Sequence, residues 1–272
     1  LVFNVFSYLT ETHISVYEVE QGTIAVNNVY NGLILRDEKS INSDYSGAVN
    51  YYVKEGSKVA YGDLVCSVDE NGDVSNMINE ASQDGSTIDS ENLAEIEKNI
   101  NDFLYAYDGK NYYQVYSFKD NVNASLSEAL SVNALNDISD YVASAENNNT
   151  FHKVITDVPG IVTYYTDGFE NVTVDNFTAA MFDESNYSKN DLKTNPAIQA
   201  GSPEYKLIDS EYWNIIVPVP DATAESLKDD DTIKIRFLKD AKEAYATYSI
   251  VGRDGQQYLI LSLKSAMVRY VS

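Results

Sequence analysis

Short apolar runs, rich in β-branched and aromatic residues and broken by polar turn residues, occupy the first part of the chain. They extend from Ile14 to Ile41 and again from Ser46 to Asp69. This pattern is typical of β-strands joined by tight turns. Gly56 and Gly62 suit such turns because glycine accepts positive φ. The sequence therefore begins with a β-rich region.

The apolar spacing changes to that of helices in the middle of the chain. Apolar residues recur at helical intervals from Ile88 to Tyr107, and Asp108-Gly109 breaks the pattern. They resume from Tyr112 to Val142, either as one long helix or as two helices joined near Ser131 to Asn133. The pattern predicts an antiparallel helical hairpin inserted at residues 74–152.

The strand pattern returns at Lys153 and continues to the end of the chain. It is interrupted by a short helical stretch near Asp175 to Phe182 and by a polar loop from Asp183 to Asn195. The last part predicts a small β unit with a hairpin turn at Gly252–Gly255. Its strands are predicted at Trp213 to Val219, Thr232 to Leu238, Ala244 to Val251 and Gln257 to Leu263.

A motif of a small residue, glycine, an apolar pair and two tyrosines occurs twice, about 113 residues apart. Its copies, here called the half-motifs, are Ser46–Tyr52 (SGAVNYY) and Pro159–Tyr165 (PGIVTYY). A second matching stretch follows each copy, at Tyr61–Asp69 and at Ala200–Asp209. Half-motifs this far apart predict one domain built from two similar halves, with the helical hairpin between them.

The first half resembles part of a biotinyl/lipoyl-type domain. The resemblance rests on Ser46-Gly47 and on the stretch Gly56–Val65 (GSKVAYGDLV). Carrier domains of that type attach a cofactor to a lysine in the hairpin between their halves. Here the helical insert replaces that hairpin, and Asp69–Gly72 contains no lysine. We therefore expect no cofactor.

A split barrel, a helical hairpin and a terminal β unit together resemble the HlyD-like membrane fusion proteins, also called periplasmic adaptors. The segments Tyr17–Gly22, Tyr30–Glu38 and Gly160–Glu170 resemble a Gram-positive subgroup of that family. The resemblance extends from about residue 17 to the end of the chain. It implies a non-enzymatic extracytoplasmic adaptor that bridges a membrane transporter, ABC-type or similar, to envelope partners in export. It also implies an N-terminal transmembrane anchor ahead of Leu1 and allows a homo-oligomer.

The predicted fold class is mainly β with an inserted α-helical hairpin, namely a biotinyl/lipoyl-like barrel-sandwich hybrid plus a small C-terminal β-barrel. The alternative function is a cell-envelope scaffold or cell-wall-associated binding module without a transport role. The predicted parts are N-terminal strands contributing to the β-barrel region (1–44), the two barrel-sandwich halves (45–73 and 153–210), the hairpin (74–152) and the C-terminal β-barrel domain (211–272).

The charge balance excludes one class of partner. The chain has 42 acidic and 19 basic residues, and its formal net charge is −23. Nucleic-acid binding needs a surplus of Lys and Arg, so we expect no nucleic-acid partner. The same overall charge opposes binding to an anionic membrane.

Few residues are candidates for a reactive or metal-binding site. The single cysteine, Cys66, lies in an apolar stretch and is expected to be buried, and the two histidines are too far apart to suggest zinc. Asp69, Asn71, Asp73 and Glu80 match the spacing of an EF-hand loop superficially, but glycine is absent from its sixth position, so we interpret the segment as a turn.

Enzyme activity is not expected. Neighbouring carboxylates such as Asp229–Asp231 and Asp37-Glu38 arise easily in so acidic a chain, and they are interpreted as solvated surface. A nucleophile elbow and a phosphate loop are absent from the sequence. We predict no catalytic, cofactor-binding or metal-binding residue.

Tyrosine is abundant, with 22 residues. In strands, adjacent tyrosines are expected to place one ring in the core and one at the surface. Tyrosines near the bend of the hairpin are better placed to contact a partner, because the ring is rigid and amphipathic. The candidate partner contact comprises Tyr105, Tyr107, Asp108, Gly109, Lys110, Tyr112 and Tyr113.

Overall fold

We describe the protein from a computed structural model that covers residues 28–83, 90–107, 112–227, 231–265 and 267–271. The chain divides into two units, Leu1–Tyr30 and Asn31–Ser272. Only residues 28–30 of the first unit are described, and they form neither helix nor strand. The predicted strands before residue 28 lie outside the described residues. All elements below belong to the second unit.

The second unit is mainly β with a helical insert, as predicted. Its α-helices are α1 (Asp73–Gln83), α2 (Ser90–Ala106), α3 (Tyr112–Asp137), α4 (Ser139–Asn147) and α5 (Asp221–Ser226). Its 3-10 helices are Ala179–Phe182, Glu184–Asn186, Leu192–Thr194 and Met267–Tyr270. Its strands are β1 (Leu33–Asn42), β2 (Gly47–Tyr51), β3 (Lys58–Val59), β4 (Leu64–Asp69), β5 (Phe151–Ile155), β6 (Gly160–Thr163), β7 (Tyr165–Thr166), β8 (Asn190–Asp191), β9 (Ala197–Ile198), β10 (Pro203–Val219), β11 (Thr232–Arg236), β12 (Glu243–Arg253) and β13 (Gln256–Leu263).

The long strand β10 organises the larger sheet. Its first part pairs with β6 (Lys206 with Thr163), and its second part pairs with β13 (Trp213 with Leu263). β1 runs antiparallel along the other side of β10. The sheet has the order β11-β12-β13-β10-β6-β3, with β1 attached to β10. One continuous strand therefore joins the barrel-sandwich region to the terminal β unit.

The smaller sheet has the order β5-β4-β2-β9. Its central strand β4 is buried along nearly its whole length, unlike a strand with one solvated face. Val65 and Cys66 belong to the cluster between the sheets, where they pack with Val162 and Leu207. Leu64 packs against a second cluster, which the helices contribute to. Residues on both sides of the sheet thus shield β4 from water.

The glycines of the two half-motifs occupy equivalent crowded positions. A Cβ atom on Gly47 would lie 2.3 Å from the backbone oxygen of Asp69. A Cβ atom on Gly160 would lie 2.8 Å from the backbone oxygen of Ile208. Each glycine therefore allows a strand to approach the second matching stretch of its own half.

The helical insert differs in detail from the prediction. The helix predicted from Ile88 to Tyr107 is present as α2, but α1 was not predicted. α3 passes through Ser131 to Asn133 without a break, and the second junction lies at Ile138, between α3 and α4. The helical stretch predicted near Asp175 is confined to the 3-10 turn Ala179–Phe182.

The C-terminal β unit is an open sheet among the described residues rather than the predicted small closed β-barrel. β11 and β3 form the ends of its path and do not pair with each other. β10 crosses the predicted domain boundary at residue 210, so the domain limits stay a prediction. No described helix combines the length and the apolar character required to span a bilayer.

Candidate functional site

The two ends of the helical insert are held side by side. β4 and β5 pair antiparallel, with Asp69 opposite Phe151. The next residue, Glu70, donates its N–H to the carbonyl of Thr150 at 2.9 Å. We call α1 to α4 (Asp73–Asn147) the arm. Because its ends meet at adjacent residues of one sheet, its base is part of the rigid core.

Asp69 starts the first helix of the arm. Its side chain is buried, and its carboxylate accepts the N–H of Ser75 at 2.9 Å and that of Asn71 at 3.3 Å. The bond from Ser75 satisfies a backbone donor that the helix start leaves open, and the bond from Asn71 holds the turn before the helix. The Asp-x-Asn-x-Asp spacing therefore marks the start of a helix where only a turn was expected. Glu80, the twelfth residue of the pattern, lies exposed on α1.

His152 forms a hydrogen bond and a ring stack at the base of the arm. His152 Nε2 lies 3.0 Å from Glu70 Oε1, and the imidazole stacks on the ring of Tyr45 with 3.4 Å between centroids. The His152 side chain is only 8% exposed. Tyr45 precedes the first half-motif and His152 follows the arm, so the stack links the halves at the point where the arm emerges.

The arm packs back against the smaller sheet. Val74 and Ile78 of α1 cluster with Ala134 and Leu135 near the end of α3 and with Tyr52 beside β2. The Asn50 amide also donates to Ser75 Oγ at 2.6 Å. These contacts bury the apolar sides of α1 and of the last part of α3. They add a second attachment of the arm to the core.

The far part of the arm is held by aromatic rings. Phe103 of α2 stacks on Phe118 of α3 with 4.1 Å between centroids, and on Tyr107 with 5.2 Å. The residues around this stack leave apolar surface in contact with water. The exposed ones include Leu104 (64%), Tyr105 (94%), Tyr107 (40%) and Tyr116 (68%).

The predicted contact residues are only partly visible. Tyr105 lies at the end of α2, and Tyr107 follows it. Tyr112 and Tyr113 are the first residues of α3. Asp108, Gly109 and Lys110 lie outside the described residues. The role of the seven predicted residues as a partner contact stays a prediction. Leu104 and Tyr116 are also exposed on this part of the arm, and they were not among the predicted residues.

The arm is strongly acidic. Residues 73–147 contain fourteen Asp and Glu and three Lys. The terminal β unit, residues 211–272, contains nine acidic and eight basic residues. The arm thus carries much of the net charge of −23, whereas the terminal unit is close to neutral.

The tyrosines of the half-motifs meet inside the core. The rings of Tyr51 and Tyr164 pack edge to face with 4.7 Å between centroids. The expectation of one buried and one surface ring is wrong, because Tyr52, Tyr164 and Tyr165 are all buried and Tyr51 is half-buried. Both faces of these strands are covered by other parts of the protein, so neither tyrosine of a pair is left fully at the surface. Burial raises the pKa of Tyr165 to about 12.

Lys193 lies against this tyrosine pair. Its Nζ is 3.9 Å from the centre of the Tyr164 ring and 5.2 Å from that of Tyr51. Lys193 is exposed as a whole, but partial desolvation of its amine lowers the pKa, and the carboxylates of Glu55, Asp191 and Glu128 oppose that shift. Since Glu128 belongs to α3, the arm supplies part of the negative field around this lysine.

A buried lysine holds a charge network between β1, β10 and the loop after β7. Lys206 Nζ lies 2.6 Å from Glu38 Oε2 and 3.4 Å from Glu170 Oε1, and its side chain is 0% exposed. Arg36 Nε lies 3.0 Å from the other oxygen of Glu38. Glu38, Asp167 and Glu170 are close enough together to hold a metal, but the Lys206 ammonium already supplies the cation there. We interpret the network as structural.

A cavity of about 250 Å³ lies at the base of the arm. It is lined by Asp69, Asn71, Asp73, Val74, Tyr141, Ser144, Ala145, Asn148 and Thr150. The Asp69 carboxylate is occupied by backbone N–H groups. The free thiol of Cys66 is buried, as predicted, and burial raises its pKa. The buried carboxylate of the cavity is therefore engaged by the backbone, and Cys66 is not among the lining residues.

Two halves whose strands pair with each other across a helical insert define a split barrel-sandwich domain. The model of one family, the RND-related barrel-sandwich hybrid domain, matches residues 38–209. The chain belongs to this family. The match confirms the resemblance to membrane fusion and periplasmic adaptor proteins, whereas the Gram-positive subgroup stays a prediction. No curated protein sequence matches the chain.

Several solved structures are similar in fold. The periplasmic adaptor protein EmrA aligns with a TM-score of 0.41 and 11% identity, over 88% of this chain and 93% of that one. ZneB from Cupriavidus metallidurans aligns with a TM-score of 0.38 and 10% identity, over 88% and 93%. The membrane fusion protein Spr0693 from Streptococcus pneumoniae R6 gives 0.28 and 12%, over 86% and 90%. Similarity this low has no bearing on function.

Proposed function

We propose that the protein is a non-enzymatic extracytoplasmic adaptor that connects a membrane transporter to envelope partners. The observation that carries the proposal is that an RND-related barrel-sandwich domain holds both ends of an acidic helical arm at adjacent residues, Asp69 and Phe151. An arm anchored in this way transmits the position of the core to whatever its far end contacts. The proposal assigns contact to the arm and rigidity to the core.

The charge distribution supports an orientation of the adaptor. The near-neutral terminal unit, residues 211–272, approaches an anionic membrane at a smaller electrostatic cost than the arm. In this orientation the acidic arm presents its exposed aromatic residues, Tyr105 among them, to the envelope side. Exposed tyrosines are common anchors of protein interfaces. This arrangement places the transporter side and the envelope side at different parts of the molecule.

The test is site-specific photocrosslinking in cells, followed by identification of the captured proteins. A photoreactive residue replaces Tyr105 on the arm, and the matched control replaces Tyr61, a tyrosine on the core that is 77% exposed. We expect specific capture from position 105 and little from position 61. A third photoreactive residue is placed at Arg236 of the terminal unit. Equal capture from positions 105 and 61, or capture from position 236 alone, would overturn the assignment of the arm.

The identity of the captured proteins separates the two functions predicted from the sequence. Transporter subunits or export partners support the adaptor. Exclusive capture of cell-wall or division proteins would replace it with the envelope scaffold.

A further inference from the structure

The turn between β11 and β12 is amphipathic. On its inner side, Ile233, Ile235 and Phe237 pack against the core cluster of the terminal unit. Phe237 stacks on the ring of Tyr270 with 4.0 Å between centroids, and its N–H donates to the carbonyl of Lys242. These contacts fix the base of the turn, so the residues beyond Phe237 are presented in a defined position.

The outer side of the same turn combines apolar and basic groups. Leu238, directly after the inward-facing Phe237, is 69% exposed, and Tyr245 on β12 is 75% exposed. Residues 234–242 contain four basic side chains and one acidic one. The basic residues are Lys234, Arg236, Lys239 and Lys242, all on the exposed side. A surplus of positive charge is unusual in a chain whose net charge is −23.

Two acidic residues, Asp240 and Glu243, lie at the turn, and both make contacts within the terminal unit. Both carboxylate oxygens of Asp240 accept from the phenol of Tyr270, at 3.1 and 3.3 Å. Asp240 also accepts the N–H of Lys242 at 3.1 Å. Glu243 pairs with Lys234 at 2.7 Å. Residues 234–243 therefore carry four basic and two acidic side chains, which leaves a surplus of two positive charges at the turn.

We propose that the β11–β12 turn docks on an anionic lipid surface, with Leu238 inserted between headgroups and Lys239 and Lys242 contacting lipid phosphates. Long basic side chains beside an exposed apolar residue suit an interface that is apolar below and charged above. The screening length at physiological salt is about 8 Å, so the nearby charges decide the contact more than the net charge does. The overall charge therefore does not exclude this local contact.

A lipid surface fits better than a protein surface. A stable protein interface needs about 800 Å² on each partner. A turn with one exposed leucine at its tip is small and convex, which suits insertion among headgroups. The inference deepens the proposed function, because it names what the terminal unit contacts, but vesicle binding tests it without any transporter.

The first experiment is vesicle flotation of the purified chain at low salt, about 0.05 M, where screening is weak. Phosphatidylcholine vesicles are compared with vesicles containing about one third phosphatidylglycerol, which supplies anionic headgroups. We expect binding to the anionic vesicles only, and loss of binding as salt is raised. Since each lysine near the surface contributes a factor of about five, Lys239→Gln with Lys242→Gln should weaken binding about 25-fold.

The matched control removes two exposed lysines elsewhere, by Lys58→Gln and Lys153→Gln. Both lie on the core and make surface ion pairs with Glu211 and Glu146. We expect this variant to bind like the original chain. Equal loss in the control, equal binding to neutral vesicles, or absence of binding to anionic vesicles would overturn the proposal.

A second experiment locates the contact. Leu238→Cys adds an accessible thiol to a chain whose own Cys66 is buried, so a polarity-sensitive dye can be attached at the turn alone. Its emission should shift to the blue on anionic vesicles, while the same dye at Tyr105→Cys should not respond. A response at position 105 alone would contradict docking by the turn. Because crosslinking at the arm is a separate measurement, either proposal can fail without the other.

Discussion

Replacing Lys206 by Met tests whether the buried charge network holds β1, β10 and the loop after β7 together. The ammonium is 0% exposed, contacts Glu38 and Glu170, and lies 4.4 Å from the centre of the Tyr165 ring. Methionine has a similar length and can fill the same space. The substitution therefore removes the charge and leaves the packing nearly unchanged.

The expected loss of stability follows from what remains behind. Glu38 stays buried, with its side chain 7% exposed, and it retains Arg36 as its only other ion-pair contact in the described network. Glu170 loses its nearest cation. Removing one partner of a buried ion pair costs about 3–5 kcal/mol, because a charge is left in a poorly solvated place. We expect Lys206→Met to lower the unfolding free energy by about that amount.

Urea unfolding measures this loss. Trp213 is the single tryptophan and is buried, so its fluorescence reports on the terminal unit, and circular dichroism tests whether the transitions coincide. Lys39→Met is the matched control, because its 2.6 Å contact with Asp209 is made by a side chain that is 53% exposed. We expect the control to unfold almost like the original chain. Equal effects of both substitutions would refute the reasoning, as would a negligible effect of Lys206→Met.

Three further results follow from the core. Gly47→Ala should lower the unfolding free energy by about 1–3 kcal/mol, as overpacking does, because the added Cβ would meet the backbone of Asp69. Gly252→Ala is the control in the same urea assay. It should be nearly neutral, because its Cβ would meet only a side chain, at 3.4 Å. Burial raises the pKa of Glu204, so the native state holds this proton more tightly than the unfolded chain does. The free energy of unfolding should therefore fall as pH rises from about 4.3 towards the native pKa. Glu204→Gln should reduce that fall, and an unchanged pH profile in this variant would contradict the assignment. Cys66 should resist thiol reagents until the protein unfolds, and rapid labelling in buffer would show that its position is more open than described here.

Strands and turns of the core were predictable where apolar runs and glycines coincide. β13 matches its predicted range closely, and Gly56 and Gly62 adopt the expected positive φ of 80° and 89°. The domain boundary predicted at residue 210 does not coincide with the end of a strand. The register between β1 and β10 shifts there, so polar residues bulge from a strand that continues. A polar interruption in sequence does not distinguish a bulge from a strand end.

The helix α1 and the buried position of Lys206 were not predictable from local patterns. Among the residues of α1 whose burial is described, 73–81, only Val74, Ser75 and Ile78 are buried, so its apolar signal is short. Lys206 has one partner 168 residues away and another 36 residues away. Its signal was a single lysine within the apolar run of β10. The sequence gives no means of identifying partners at such separations, whereas the sheet register brings them together.

The interlocked halves explain how the core carries so long an insert. Strands of the first half pair with strands of the second at three places, β2 with β9, β3 with β6 and β4 with β5. The entropy cost of closing a loop grows slowly with length, by about 0.6 kcal/mol for each doubling, so a longer or shorter arm would change the stability of the core little. What the core does require is that the arm leaves and returns at adjacent residues, at Asp69 and Phe151. The length of the arm is therefore free to vary, while its base is constrained by the fold.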